Sequence, residues 1–152
     1  MAQKSDFDEA EWKAITEAPL LIMVTMFAAG GHGPIAMVKE SAAGARVLQS
    51  PGDREPAAAL IAQIVPEAQS KEARHDAEHR KGQSIEQVIT GGVTDLGVAA
   101  QALEKIPADE RAQVAGWFVD IARAVAAASK GTSEREAATI KEIAGVFGVA
   151  TD

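Results

Sequence analysis

Residues 19–29, PLLIMVTMFAA, constrain the fold most because they are apolar on every side except at Thr25. A helix that is hydrophobic all round belongs in a protein core or in a membrane. At about 1.5 Å per residue this stretch spans roughly 16 Å, against about 30 Å for the hydrocarbon of a bilayer. We therefore expect a central core helix that other helices cover.

The composition favours an all-α fold. Hydrophobic residues make up 47% of the 152 residues, while aromatic residues make up only 4%. Much of the apolar fraction is alanine, the strongest helix former, whereas strands prefer β-branched and aromatic residues. No stretch alternates convincingly with period two. We predict a single domain over residues 1–152, with residues 1–6 flexible and about six or seven helices packed around the central one.

The charge and the absence of cysteine narrow the classes of function. A formal charge of −7 argues against broad nucleic-acid or anionic-lipid binding, which needs clustered Lys and Arg. Without cysteine there is no disulfide and no thiolate chemistry. The acidic N-terminus resembles neither a secretory signal nor a transit peptide. We expect a cytoplasmic protein with no nucleic-acid partner, and membrane association is the less favoured alternative.

Prolines and glycines predict the helix boundaries in the first half of the chain. Pro19 predicts a break or sharp kink near residues 17–18, because an internal proline removes one hydrogen bond and clashes with the preceding turn. Pro66 predicts the end of a short helix whose buried side holds Ala57, Leu60, Ile61 and Ile64. The other segments expected here are loops at 30–34 and 50–56, a helix at 34–48 and a charged helix at 67–81.

The clearest helical pattern spans residues 84–106. Ser84 and Gln87 form a capping box, S-x-x-Q. The apolar seam that follows steps by four and three, and it holds Ile85, Ile89, Gly92, Leu96, Ala99, Leu103 and Ile106. Gly91 and Gly92 mark either a kink or, at Gly92, a close approach of another helix. The tight junction at Pro107 predicts an antiparallel hairpin with a helix over 107–129, with Trp117 and Phe118 in the core.

The C-terminal segment predicts one more helix. Ser133 and Glu136 form a second capping box, and Gly148 is suited to follow the helix end. The expected buried stripe consists of Ala137, Ile140, Ala144 and Phe147, with Ile143 and Val146 beside it.

The candidate metal ligands lie on the charged segment 67–81. His75 and His79 are four residues apart, with Glu72 one turn before His75 and Asp76 alongside. Imidazole and carboxylate groups at this spacing can share a divalent ion. However, two histidines alone leave a metal under-coordinated, and the segment is the most polar of the chain. A solvated charged face is the favoured interpretation, and a divalent metal is the only cofactor that the sequence suggests.

Other candidate motifs are better explained by structure than by chemistry. The glycines at 30–33 precede Pro34–Ile35 and lack the Lys and Ser/Thr of a P-loop, so His32 is interpreted as a loop residue. The segment TGGVTD at 90–95 lies inside the helical seam, which favours close helix packing over a nucleotide loop. No nucleophile elbow, HExxH or Rossmann fingerprint is present. Trp12 and Gly92 are the candidate interface residues.

The ending GTSEREAATIKEIAGVFGV at 131–149 resembles the closing helix of TerB-like tellurite-resistance domains, which are compact all-helical bundles. The matching positions are Gly131, Ser133, Glu136, Ile140, Ile143 and Gly148. The resemblance implies a bacterial, stress-associated helical module. In that family an Asp often precedes the glycine and acidic residues are implicated in metal binding, whereas Lys130 stands here.

Together these observations predict a non-enzymatic helical interaction or scaffold protein that self-associates. Two alternatives remain open at this point. One is a metal-binding accessory module that uses His75 and His79 with Glu72 or Asp76. The other is a membrane-associated protein that inserts residues 20–38 as a helical hairpin.

Overall fold

The computed structural model describes residues 3–30, 57–68, 84–128 and 134–149, which hold five α-helices and no strand. This confirms the all-α fold class. Five helices are fewer than the six or seven predicted for the whole chain. The helix expected at 34–48 and residues 69–81 of the helix expected at 67–81 lie outside the described residues. A 3₁₀ turn at Lys4–Asp6 precedes the helices, which are α1 (Glu9–Gly30), α2 (Ala58–Ala68), α3 (Ile85–Leu103), α4 (Ala108–Ala128) and α5 (Glu134–Val146).

Helix α1 is the centre of this bundle, as its apolar sequence predicts. It packs against each of the other four described helices, and its contact with α3 is the most extensive. Its fully buried side chains include Ile15, Ile22 and Met26. Burying an aliphatic side chain of this size stabilises the fold by about 1.5–3 kcal/mol. The arrangement therefore covers the all-apolar helix with the apolar stripes of its neighbours.

Of the predicted break or sharp kink at residues 17–18, the break is wrong, because α1 continues through Pro19 as one helix of 22 residues. The kink stays a prediction. An internal proline costs about 3 kcal/mol or more. The apolar face on both sides of Pro19 offsets this cost, since Ile15, Ala18 and Ile22 are all fully buried. A break would add unpaired backbone groups inside the core, where each costs more than at the surface.

The predicted helix end at Pro66 is also wrong. Helix α2 continues to Ala68, which is fully buried. The predicted buried side of this helix is confirmed, since Ala57, Leu60, Ile61 and Ile64 are all fully buried. Pro66 itself is exposed, so its ring faces solvent rather than a neighbouring helix.

Helices α1 and α3 run antiparallel. Gly92 of α3 lies against Thr25 near the end of α1. Lys105, just after α3, reaches Glu11 near the start of α1. Thirteen positions along α3 thus match fourteen along α1, a length of about 20 Å at about 1.5 Å per residue. Because this pairing extends across Pro19, it also explains why α1 stays in one piece.

The predicted antiparallel hairpin of the helices at 84–106 and 107–129 is wrong. Helices α3 and α4 each pack on α1 and on α5, but they make few close backbone contacts with one another. The aromatic residues of α4 are nevertheless core residues, since Trp117 and Phe118 are fully buried. Because α1 is apolar on more than one side, each of the two helices buries its stripe there instead of on its chain neighbour.

Helix α5 buries a face that is rotated from the predicted stripe. Ala137 is exposed, while Glu136, Thr139 and Ile143 are buried together with Ala144 and Phe147. The Phe147 ring lies 5.1 Å from the ring of Phe118 in α4. The buried face of α5 therefore runs through residues 136, 139 and 143. The predicted stripe is wrong at its first position, Ala137.

The end of α5 confirms the role predicted for Gly148. Its φ of 70° lies in the left-handed region that glycine adopts without strain. The N–H of Val149 donates to the carbonyl of Ala144 at 2.8 Å, and the N–H of Gly148 donates to that of Gly145 at 3.3 Å. This pair of bonds is a Schellman motif. Ser133, the predicted cap at the other end, lies outside the described residues.

Candidate functional site

The contact between Gly92 and Thr25 is the tightest feature of the α1–α3 pair. A Cβ atom placed on Gly92 would lie 2.1 Å from Oγ1 of Thr25 and 3.3 Å from its Cβ. The Thr25 hydroxyl is itself held, since it donates to the carbonyl of Leu21 at 2.7 Å. The predicted close approach at Gly92 is therefore confirmed, and a kink at residues 91–92 stays a prediction. The segment 90–95 lies within α3, so it is not a nucleotide-binding loop.

The opposite end of the α1–α3 pair is charged. The side chain of Asp8 accepts from the N–H of Glu11 at 2.8 Å, and the side chain of Glu11 accepts from the N–H of Asp8 at 2.9 Å. These reciprocal bonds cap the start of α1. Lys105 donates to Glu11 Oε1 at 2.5 Å and ties this cap to the end of α3.

This charged contact shifts the pKa of two groups in a stabilising direction. The backbone hydrogen bond from Glu11 is the largest influence on Asp8, and it holds the pKa of that carboxyl below its ordinary value. The hydrogen bond to Glu11 is the largest influence on Lys105, and it raises the pKa of that ammonium. Asp8 and Lys105 are both exposed. We therefore interpret the contact as a structural ion pair that salt weakens, and not as a catalytic pair.

Trp12 joins the N-terminal residues to α2. Its Nε1–H donates to Oε2 of Glu67 at 2.6 Å, and the other carboxylate oxygen lies 3.4 Å from Nζ of Lys4. The ammonium of Lys4 also sits 5.8 Å from the centre of the indole ring, and the Phe7 ring lies 5.9 Å from it. Trp12 is therefore buried against residues of its own chain, and only 5% of its surface is exposed. Contact of Trp12 with a second chain stays a prediction.

The outward face of α1 changes character along its length. The first half carries Lys13 and Glu17, whose charged groups lie 3.9 Å apart. The second half continues this stripe at the same helical spacing with residues that are all apolar and half-buried, namely Leu20, Leu21, Val24, Phe27 and Ala28. We call this set the α1 outer face. Each of these apolar side chains stays partly open to solvent.

The predicted seam of α3 is buried only in part. The structure confirms it from Gly92 to Ile106, where each seam residue is buried. At the start of α3, Ile85 is 37% exposed and Ile89 is half-buried. The capping box of Ser84 and Gln87 is confirmed by hydrogen bonds of 2.9 and 3.1 Å. Val98 is the most exposed large apolar residue described, at 52%, and it lies among polar neighbours.

Two buried carboxylates are not predicted by the sequence patterns. Glu110 of α4 is 4% exposed and Glu136 of α5 is fully buried. Each lies in the first turn of its helix, where an acidic residue normally faces solvent. One sequence signal for the burial of Glu136 is its spacing from Thr139 and Ile143. Residues separated by three or four positions lie on the same face of a helix, so Glu136 shares a face with the apolar Ile143.

The predicted metal ligands His75, His79, Glu72 and Asp76 lie outside the described residues, as does His32. In the parts of the chain that the structure describes, no group of three or more His, Asp or Glu side chains is arranged to hold a metal ion. The metal hypothesis therefore stays a prediction.

One of the described helices, α1, is long and apolar enough to cross a membrane. At 22 residues it spans about 33 Å, so the length argument from residues 19–29 does not apply to the whole helix. Half of its most apolar window is buried inside the bundle. A core helix of a bundle can meet the same criteria of length and apolar character, because its neighbours cover its apolar surface.

Comparisons of the chain with protein-family models, with curated proteins and with solved structures gave no match.

Proposed function

We propose that this chain is a non-enzymatic helical interaction protein that self-associates through the α1 outer face. The observation that carries the proposal is the continuous apolar stripe from Leu20 to Ala28, which stays partly open to solvent. Contiguous apolar surface of this kind marks interaction sites more often than isolated apolar residues do. Leu20, Leu21 and Phe27 also touch the core, so the stripe is anchored on its inner side.

A second copy of the chain is the proposed occupant. Self-association must overcome the net charge of −7 on each copy. The stripe itself carries no charge, and the acidic residues of α1 lie in its first half, at Glu9, Glu11 and Glu17. Two copies that pair about a two-fold axis at Val24 would bring the uncharged halves together. Two-fold pairs are the commonest arrangement of homo-oligomers.

The test compares two substitutions that add the same charge. Val24→Lys places an ammonium in the α1 outer face, and Val98→Lys places one at an exposed site on α3. We expect sedimentation and light scattering at micromolar concentration to show a dimer or larger for the native chain and for Val98→Lys. We expect a monomer for Val24→Lys, because the charge would be buried in the interface.

Circular dichroism checks that both variants keep their helices. The long Lys side chain extends its ammonium to solvent in the monomer, so the monomer tolerates it. A native chain that is strictly monomeric overturns the proposal. A Val24→Lys variant that associates like the native chain removes the α1 outer face as the interface.

The proposal includes a cytoplasmic location and a stress-associated role. The absence of cysteine supports the location. The resemblance to TerB-like domains supports the role, and of its positions Glu136 and Ile143 are buried while Gly148 ends α5. Growth of a deletion strain under tellurite, with fluorescence microscopy of a tagged chain, tests both parts.

A second candidate is membrane association, which the length and apolar character of α1 favour. It requires α1 to leave the bundle, where Ile15, Ile22 and Met26 are fully buried. Flotation with liposomes of neutral and of anionic lipid distinguishes the two candidates. Protein that stays at the bottom of the gradient with both lipids excludes this one.

A further inference from the structure

Residues 3–7 lie across the start of α1 and the end of α2. They form the 3₁₀ turn Lys4–Asp6 and the extended residue Phe7, and the four residues Gln3–Asp6 are exposed. The backbone N–H of Lys4 donates to Oε1 of Gln63 at 2.9 Å. Its ammonium reaches Glu67 and the Trp12 ring. We call residues 3–7 the N-terminal clasp.

We propose that the N-terminal clasp is a detachable strap that covers Trp12 and opens while the helical bundle stays folded. This conformational device goes beyond the proposed self-association, since it involves the other half of α1. The geometry points to it because, within the described residues, the clasp is attached by few contacts and ends where α1 has its own cap.

The attachment of the clasp is light. Exposed ion pairs such as that of Lys4 with Glu67 contribute little to stability, because water screens them. The side chains of this pair are 60% and 43% exposed. The one apolar anchor is Phe7, which is 8% exposed and lies against the Trp12 ring. Segments held by so few buried contacts open locally far more often than a core unfolds.

The joint between the clasp and α1 lies at Phe7 and Asp8. The side chains of Asp8 and Glu11 cap α1 without any help from the clasp. Lys105 then holds that cap to the end of α3. The clasp can therefore leave without unravelling the first turn of α1, because the N–H groups of Glu11 and Trp12 keep their hydrogen bonds to Asp8.

Opening changes the environment of one indole ring. Trp12 loses the Phe7 ring and the Lys4 ammonium from its surroundings, while its Nε1–H keeps Glu67 as a partner within the bundle. The ring face then meets solvent. An aromatic surface that is covered in one state and open in the other is the element that a switch requires.

The test uses the full chain and hydrogen exchange resolved by residue. Phe7→Ala removes the apolar anchor, and Lys4→Ala removes the charged one. We expect the amides of Asp6 and Phe7, which donate to Gln3 and Lys4, to exchange at least about tenfold faster in Phe7→Ala. We expect a smaller acceleration in Lys4→Ala. In both variants the amides of α1 and α3 keep their native rates, and the Trp12 indole signal shifts while that of Trp117 does not.

Lys13→Ala is the matched control, since Lys13 also forms an exposed ion pair but lies outside the clasp. It leaves the rates of residues 3–7 unchanged. Two results overturn the proposal. In one, Phe7→Ala leaves the exchange of residues 3–7 at the native rate. In the other, exchange throughout α1 accelerates as much as in the clasp, which shows that the strap and the bundle open together.

Discussion

The two ends of the antiparallel α1–α3 pair are held by different physical means. At one end, Gly92 admits Thr25 in a contact that leaves no room for a side chain. At the other end, Glu11 and Lys105 join the helices through an exposed charged hydrogen bond. The first contact depends on shape and the second on charge. Shape complementarity inside a core is intolerant of an added methyl group, whereas an exposed charge pair is tolerant of change and sensitive to salt.

The largest expected effect breaks the apolar end. Gly92→Ala places a methyl group 2.1 Å from Thr25 Oγ1. Rotation of the Thr25 side chain would relieve the clash only by giving up its bond to Leu21. We expect the free energy of unfolding to fall by about 1–3 kcal/mol, measured by urea denaturation.

Gly97→Ala is the control for Gly92→Ala, since Gly97 lies in the same helix with open space around its Cβ position. It should raise stability by about 0.5–1 kcal/mol, because alanine has the higher helix propensity. Thr25→Ala combined with Gly92→Ala should recover part of the loss. Equal effects of the two glycine substitutions would show that close approach is not the role of Gly92.

An intermediate effect is expected next to the charged end, where Trp12 joins α1 to α2. Trp12→Phe removes the indole donor to Glu67 and keeps most of the ring. We expect a loss of about 1 kcal/mol, since the half-exposed carboxylate can turn to water. Thermal unfolding followed by circular dichroism measures it. Glu67→Gln keeps an acceptor for the indole and should cost less, and the reverse order would contradict the assigned bond.

The smallest effect is the pH dependence of the charged end. The lowered pKa of Asp8 means that its cap stabilises the fold above the unfolded value of about 3.9. That stabilisation disappears as the pH falls through the folded value. Asp8→Asn should therefore lower Tm at pH 6 by a smaller amount than Gly92→Ala does, and the difference from the native chain should vanish near pH 2.

Lys105→Met tests how the stability of the charged end depends on alkaline pH. The raised pKa of Lys105 means that its stabilisation is complete below about 10.4 and is lost as the pH rises through the folded value. The difference in Tm from the native chain should persist from pH 6 to 9 and shrink in concentrated salt. A difference that is insensitive to both salt and alkali would assign the role of Lys105 to packing.

Local patterns predict the helices better than they predict the partners of each helix. The capping box at Ser84, the Schellman glycine at Gly148 and the buried Trp117 and Phe118 all follow from residues within one or two turns. The predicted breaks at Pro19 and Pro66 are wrong because proline destabilises a helix locally, while burial on both sides of Pro19 acts over the whole core. A rule that considers only neighbouring residues cannot compare the local cost of a proline with the free energy gained by burial across the whole core.

The candidate interface residues show the same limit. Gly92 is predictable as a position of close approach, because glycine adds no side chain to an apolar seam and lets a neighbouring helix come near. Its partner Thr25 is not predictable, since the two residues are distant in the chain. The sequence favours Trp12 as an interface anchor, and its hydrogen-bond acceptor, Glu67, lies 55 residues further along the chain.

The sequence by itself determined that the chain is all-α, that residues 19–29 lie in its central helix and where several helices begin and end. These outcomes follow from helical periodicity, caps and apolar content, which act within a few residues. Only the tertiary structure decided that α1 stays whole through Pro19, that α3 and α4 both pack on α1, and that Glu136 is buried. Those outcomes are decided by competition among surfaces far apart in the chain, because burial rewards the pair of helices that excludes the most water.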